Sequence, residues 1–68
     1  MKYRIRIASQ FLVLNETLQT ILPCDSCEAI VHNGIAQVAH PHGSFALPYD
    51  RFYKHWEVGN IVLEQTLS

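Results

Sequence analysis

Two cysteines and two histidines form the one set in this chain whose spacing suggests metal chemistry. Cys24 and Cys27 stand three apart, and His40-Pro41-His42 follows with 12 residues between Cys27 and His40. Two thiolates and two imidazoles suit tetrahedral Zn²⁺, and the interval is close to that of zinc fingers. His32 is a substitute for one ligand. The histidine pair is the weak point, because one residue separates His40 from His42 where zinc fingers place three to five. The competing reading is a Pro-initiated turn at Cys24 to Cys27, with both histidines in a solvent-facing turn. A redox role for the two thiols needs a thiolate at a helix N-terminus in a βαβ setting, and the pattern offers none.

Catalysis has less to stand on. Ser9, Ser26 and Ser44 lack a nucleophile signature, and neither His40 nor His42 has a carboxylate at readable spacing. With only Gly34, Gly43 and Gly59 in the chain, there is no glycine-rich phosphate loop. No enzymatic activity is expected. Lys2, Arg4 and Arg6 make a basic stripe on one strand face, which near aromatic side chains would sketch a nucleic-acid surface. A net charge of −1 argues against that, and positive charge on an edge strand also serves to block edge-to-edge pairing.

Binding to a protein is the reading with the most residues behind it. Tyr49, Tyr53, Trp56 and Arg51 belong to the types that anchor interfaces. A helix this short cannot bury all of its aromatics on one side, so Tyr49 and Tyr53 are expected to face outward. With Arg51, His32 and Gln37 they form the predicted partner-binding set.

These side chains depend on the elements that carry them. Lys2 to Ile7 alternates with period two, which predicts a strand with Tyr3, Ile5 and Ile7 inward. Phe11 to Leu14 is apolar on both parities and fits a central strand, or the first strand continued past a bulge near Ser9. Thr17 to Leu22 is ambiguous. Leu18, Ile21 and Leu22 sit at helical spacing, whereas Thr17, Thr20 and Ile21 favour a strand after an Asn15-Glu16 turn. The reading leans to a short helix, ended by Pro23.

The middle of the chain can be placed in register. Asn33-Gly34 signals a two-residue hairpin turn, because both positions of a type I′ turn need positive φ. It sets His32 opposite Ile35, Val31 opposite Ala36, Ile30 opposite Gln37 and Ala29 opposite Val38. A second turn, His40 to Gly43, sets Val38 opposite Phe45 and Ala36 opposite Leu47. Both turns give one apolar face: Ala29, Val31, Ala36, Val38, Phe45 and Leu47. Agreement between independent turns supports the register. Pro48 suits the first turn of a helix over Tyr49 to Glu57, whose Phe52 and Trp56 would cover that face. Gly59-Asn60 ends it, and Ile61-Val62-Leu63 opens a last strand. The expected fold is α+β: one small domain over residues 1–68, with a mainly antiparallel sheet and a short aromatic helix near the C-terminus.

The run Ala29-Ile30-Val31-His32, a turn, and His42-Gly43-Ser44-Phe45-Ala46-Leu47-Pro48-Tyr49-Asp50-Arg51-Phe52-Tyr53-Lys54-His55-Trp56-Glu57 resembles the C-terminal half of the PGDYG-type family of small phage and prophage proteins. Lys2-Tyr3-Arg4 is also similar to the start of many such proteins. The likeness covers roughly half the chain. Where the family has Pro-Gly-Asp-aromatic, this chain has Pro23-Cys24-Asp25-Ser26-Cys27-Glu28. The family carries no established chemistry to transfer. The resemblance implies a small α+β domain of phage origin acting inside a bacterium.

Composition sets the remaining bounds. Of 68 residues, 49% are hydrophobic and only 16% charged. That is rich for so small a surface, so apolar area is expected to stay exposed until a partner or a second copy covers it. No apolar run reaches the roughly 20 residues of a membrane span. Met1 to Ile7 lacks the apolar block and cleavage site of a signal peptide, so the chain is expected in the bacterial cytoplasm with its cysteines as thiols. The expected role is docking on a host protein and modulating it. A zinc-stabilised module and a nucleic-acid binder stand as the alternatives.

Overall fold

The computed structural model describes residues 1–68, all of the chain, and has seven strands and one helix. In chain order they are β1 (Lys2–Ile7), β2 (Phe11–Leu14), β3 (Leu18–Ile21), β4 (Cys24–His32), β5 (Ile35–Ala39), β6 (Phe45–Pro48), α1 (Tyr49–Glu57) and β7 (Ile61–Thr66). Five strands form one antiparallel sheet in the order β6-β5-β4-β1-β7, and β2 and β3 form a separate two-stranded ribbon. The fold is α+β, as the pattern predicts.

The register of β4, β5 and β6 is the one the two turns dictate. Val31 lies opposite Ala36, Ala29 opposite Val38, Val38 opposite Phe45 and Ala36 opposite Leu47. Asn33 and Gly34 both take positive φ, at 51° and 77°, as the tight hairpin requires. Ala29, Ala36, Val38, Phe45 and Leu47 are buried, and Val31 is half-buried against them. In β1 the alternation puts Tyr3, Ile5 and Ile7 into the same core.

α1 covers that face. It starts at Tyr49, one residue after Pro48, which sits at the N-cap in extended backbone and has no N–H to leave unpaired, and it buries Phe52 alone among its residues. Trp56 is half-buried against the core. The helix ends as the Gly59-Asn60 pair predicts. Gly59 takes φ 87°, its N–H donates to the Trp56 carbonyl, and the Asn60 N–H donates to the His55 carbonyl. This pair of bonds is a Schellman cap, which satisfies carbonyls the helix end would leave open.

Two sequence expectations need correction. Leu18 to Ile21 is a strand, and the short helix does not form. A loop from Asn15 to Thr17 joins it to β2, with Leu14 opposite Leu18 and Phe11 opposite Ile21. The helical spacing of Leu18, Ile21 and Leu22 was misleading, because tertiary pairing overrode it: β2 offers a partner, and Thr20 and Ile21 favour extended backbone. Likewise, Phe11 to Leu14 is neither a central strand nor an extension of β1. It pairs only with β3. The ribbon packs its inner side chains, Phe11, Val13 and Ile21, into the main core. Phe11 meets Phe45 edge-on at 6.1 Å between ring centroids. At the loop, Asn15 Nδ2 donates to the Ala46 carbonyl at 3.2 Å and so ties the ribbon to β6.

Candidate functional site

No three of the four predicted metal ligands come together. A bulge governs the cysteines. Ile5 pairs with Cys27 and Ile7 with Cys24, so β4 carries one residue more than β1 across this step. The extra residue puts Cys24 and Cys27 on one face, although residues three apart in a regular strand face opposite ways. That face is the core: Cys27 is buried and Cys24 packs at its margin. The segment is therefore strand, not the turn of the competing reading. Burial, with a hydrogen bond and charge repulsion from Cys24, pushes the Cys27 thiol up to about 12.

His40 has a structural task. Its Nε2–H donates to the Leu22 carbonyl at 2.9 Å, and its Nδ1 accepts the His42 backbone N–H at 3.1 Å. Both ring nitrogens are thus in use, and no lone pair remains for a metal. His40 is 8% exposed, not solvent-facing as the turn reading has it, whereas His42 and His32 are exposed. Nowhere in the chain do three or more His, Cys, Asp or Glu side chains converge to hold a metal ion. The residues present do not fit the zinc reading.

A thiol titration checks the cysteine assignment. In native protein near neutral pH, Cys24 is expected to react with a disulfide reagent, and Cys27 only on unfolding, since the thiolate is the reactive species. Equal rates for both thiols would contradict the placement of Cys27.

The basic stripe is largely neutralised. Lys2 lies 3.4 Å from Glu28 and Arg6 lies 3.6 Å from Glu64, both pairs half-exposed. These are the chain's two ion pairs, and Arg4 lies opposite Glu28 across the β1–β4 ladder, so carboxylates are interleaved with the three cations. A stripe broken by carboxylates makes a poor track for phosphates.

The predicted partner-binding residues fall on three surfaces. Tyr49 and Tyr53 lie side by side along α1, tilted, at 6.3 Å between ring centroids, and Tyr53 meets Trp56 edge-on at 5.8 Å. Trp56 in turn lies 6.4 Å from Tyr3. The three helix rings form a continuous ridge whose inner end rests on the buried Tyr3 of β1, with Tyr53 45% exposed and Tyr49 and Trp56 half-buried. Arg51 sits two positions round the helix and lines a cleft with Leu12, Leu14, Asn15 and Pro48 beside the ribbon. It has no carboxylate partner. His32 and Gln37 project from the other face of the main sheet. That face is open, and Ile30, Gln37, Ser44 and Ala46 help line a broad depression of about 410 Å³ on it.

The sequence reading missed one surface altogether. The outer side of the β2–β3 ribbon presents Leu12, Leu14 and Leu18, which are 56%, 63% and 63% exposed, and Leu22 follows at 45%. The signal was present as the apolar parity of Phe11 to Leu14. A strand that is apolar on both faces but covered on one must expose the other. Much of the apolar excess of the composition is concentrated there.

His55 reports on how the ribbon joins the helix. Its ring stacks on Phe11 at 4.0 Å between centroids, and Asn60 Nδ2 donates to its Nδ1 at 3.1 Å. Burial holds His55 below its ordinary value of 6.5. The stability this neutral ring contributes is present in full above the unfolded-chain value and is lost as pH falls through the lower folded value. Acidification from neutral pH is therefore expected to lower the melting temperature, and His55→Phe to flatten that response. Parallel pH profiles for the two proteins would contradict this account.

No family model, curated protein or solved structure matches the chain. No helix is long and apolar enough to cross a membrane. Fold and surface together define a class: a small α+β protein with an open sheet face, an aromatic ridge and an apolar ribbon.

Proposed function

We propose that the protein is a small, non-catalytic binding factor of phage type that docks on a host protein and modulates it. The observation that carries this reading is the ridge of Tyr49, Tyr53 and Trp56, seated on the buried Tyr3. Its three rings ride on one helix and buttress one another, so little side-chain freedom is lost on binding. Tyr and Trp are the residue types in which binding energy concentrates. Lys54 extends from the same helix, exposed and without a carboxylate partner, and gives the ridge a polar rim. The likeness of the C-terminal half to phage proteins supplies the setting, a bacterial cytoplasm.

The test is co-purification from a bacterial lysate with the wild type and a Tyr49→Ala, Tyr53→Ala double variant. One specific partner retained by the wild type and lost by a folded double variant is the expected result. Equal retention by both, or no partner for either, would refute the ridge as the docking surface.

A further inference from the structure

We propose that the β2–β3 ribbon is a hinged flap, latched over the core by the stack of His55 on Phe11 and released when that ring takes up a proton. This goes beyond the docking role of the ridge and uses different residues.

The ribbon is attached to the rest of the fold by side chains alone. No backbone hydrogen bond joins β2 or β3 to another element, and neither ion pair involves them. Phe11, Val13 and Ile21 enter the core from its inner side. Exposed Ser9-Gln10 and Leu22-Pro23 flank it, so both connections to the main sheet lie in solvent. By contrast, β1 and β4 are bonded to a neighbour along both edges. A unit held only by side chains opens at a lower free energy than such strands. Once lifted, a lone two-stranded ribbon is too weak to keep its own ladder. Opening also bares Phe45, which Phe11 meets edge-on in the closed state.

Three contacts supplement the buried side chains, and a proton acts differently on each. Asn15 Nδ2 donates to the Ala46 carbonyl, and neither group titrates. His40 donates to the Leu22 carbonyl through Nε2–H, which is still a donor in an imidazolium. His55 is the sensitive one. Its ring lies 4.0 Å from that of Phe11, and its Nδ1 accepts from Asn60 Nδ2, a bond that a proton on Nδ1 abolishes.

The surroundings of His55 also favour the neutral ring. In the cleft it shares with the ribbon, the β2 side supplies Leu12 to Asn15 and β6 supplies Leu47 and Pro48. The one charged group there is Arg51, a turn earlier on α1, and no carboxylate lies within ion-pair distance of His55. Glu16 is the single ionisable residue between Phe11 and Pro23, and it sits in the loop at the far end of the ribbon. Burial holds His55 below 6.5 in the closed state, and opening returns the ring to water. Closure is therefore favoured in full above 6.5, and that preference is lost as pH falls through the lower closed-state value.

The experiment is amide hydrogen exchange of the full chain, followed by NMR and corrected for intrinsic rates, at several pH values. The β2 and β3 amides are expected to share one opening constant, larger than that of β1 and β4. It should rise at least about threefold between about pH 7.5 and 5.5, and by no more than about tenfold per unit, the limit for one proton. His55→Phe keeps an aromatic partner for Phe11 and should make the ribbon's opening indifferent to pH. Asn15→Ala should loosen the ribbon equally at every pH, which separates a tether from the latch. The imidazole proton shifts of the wild type give a reading that needs no variant, and there His55 should titrate below 6.5. Ribbon amides that exchange together with β1 and β4 would overturn the flap. Equal pH slopes for wild type and His55→Phe, a His55 titrating at or above 6.5, or ribbon protection that grows with acid would each overturn the latch. The last outcome would mean that attraction of the imidazolium to the Phe11 face wins over its burial.

Discussion

Phe52→Ala is expected to leave the protein largely unfolded at 25 °C. Phe52 is 1% exposed, the one buried residue of α1, and part of the single core cluster. Through it the helix is held over β5, β6 and β7. Truncating a buried Phe costs about 3–5 kcal/mol, from lost transfer energy and the cavity left behind. A domain of this length has a total stability of only about 3–5 kcal/mol to lose. Urea titration followed by circular dichroism gives the answer. A midpoint within experimental error of the wild type would show that the helix is not held by this side chain. Phe52→Leu fills more of the site and should leave a folded, weakened protein.

Ile21→Asp and Leu22→Asp, at neighbouring positions, are expected to behave oppositely. Ile21 is buried at the end of β3, and a carboxylate there would be taken from water without a partner. The cost is several kcal/mol, enough to detach the ribbon or unfold the chain. Leu22 faces out, and a surface change of this kind costs within about 0.5 kcal/mol in the monomer. Thermal melts at low concentration would check both. Similar losses at the two positions would restore the helical reading of Thr17 to Leu22, in which both residues lie at core spacing.

How much could be read from the chain alone depended on how local the cause was. The register of β4, β5 and β6 followed from Asn33-Gly34 and from His40 to Gly43, because each turn fixes its own strands within a few residues. The helix followed from Pro48 and Gly59-Asn60 for the same reason. Even the outward placement of Tyr53 could be derived, since a nine-residue helix has too little buried stripe for four aromatics.

The remainder was not local. Cys24 and Cys27 share a face only because β4 bulges against β1, a strand remote in the chain. The local pattern makes His40 a turn residue, but the Leu22 carbonyl reaches it across the fold and makes it structural. The predicted partner set rests on the lack of a core position for Tyr49, Tyr53, His32 and Gln37 in the local pattern and on the residue type of Arg51, and Tyr49 packs partly against the core. Nothing local could say that they point to three surfaces.

Leu12, Leu14, Leu18 and Leu22 mark the boundary most clearly. The sequence by itself determined that this chain carries more apolar surface than a 68-residue core can cover. It also determined the three-stranded register and the helix that packs on it. Only the tertiary structure decided which apolar residues were left outside. A strand apolar on both parities has no inner side until another layer settles against it. The core chose Phe11, Val13 and Ile21, and the leucines between them were turned to the surface.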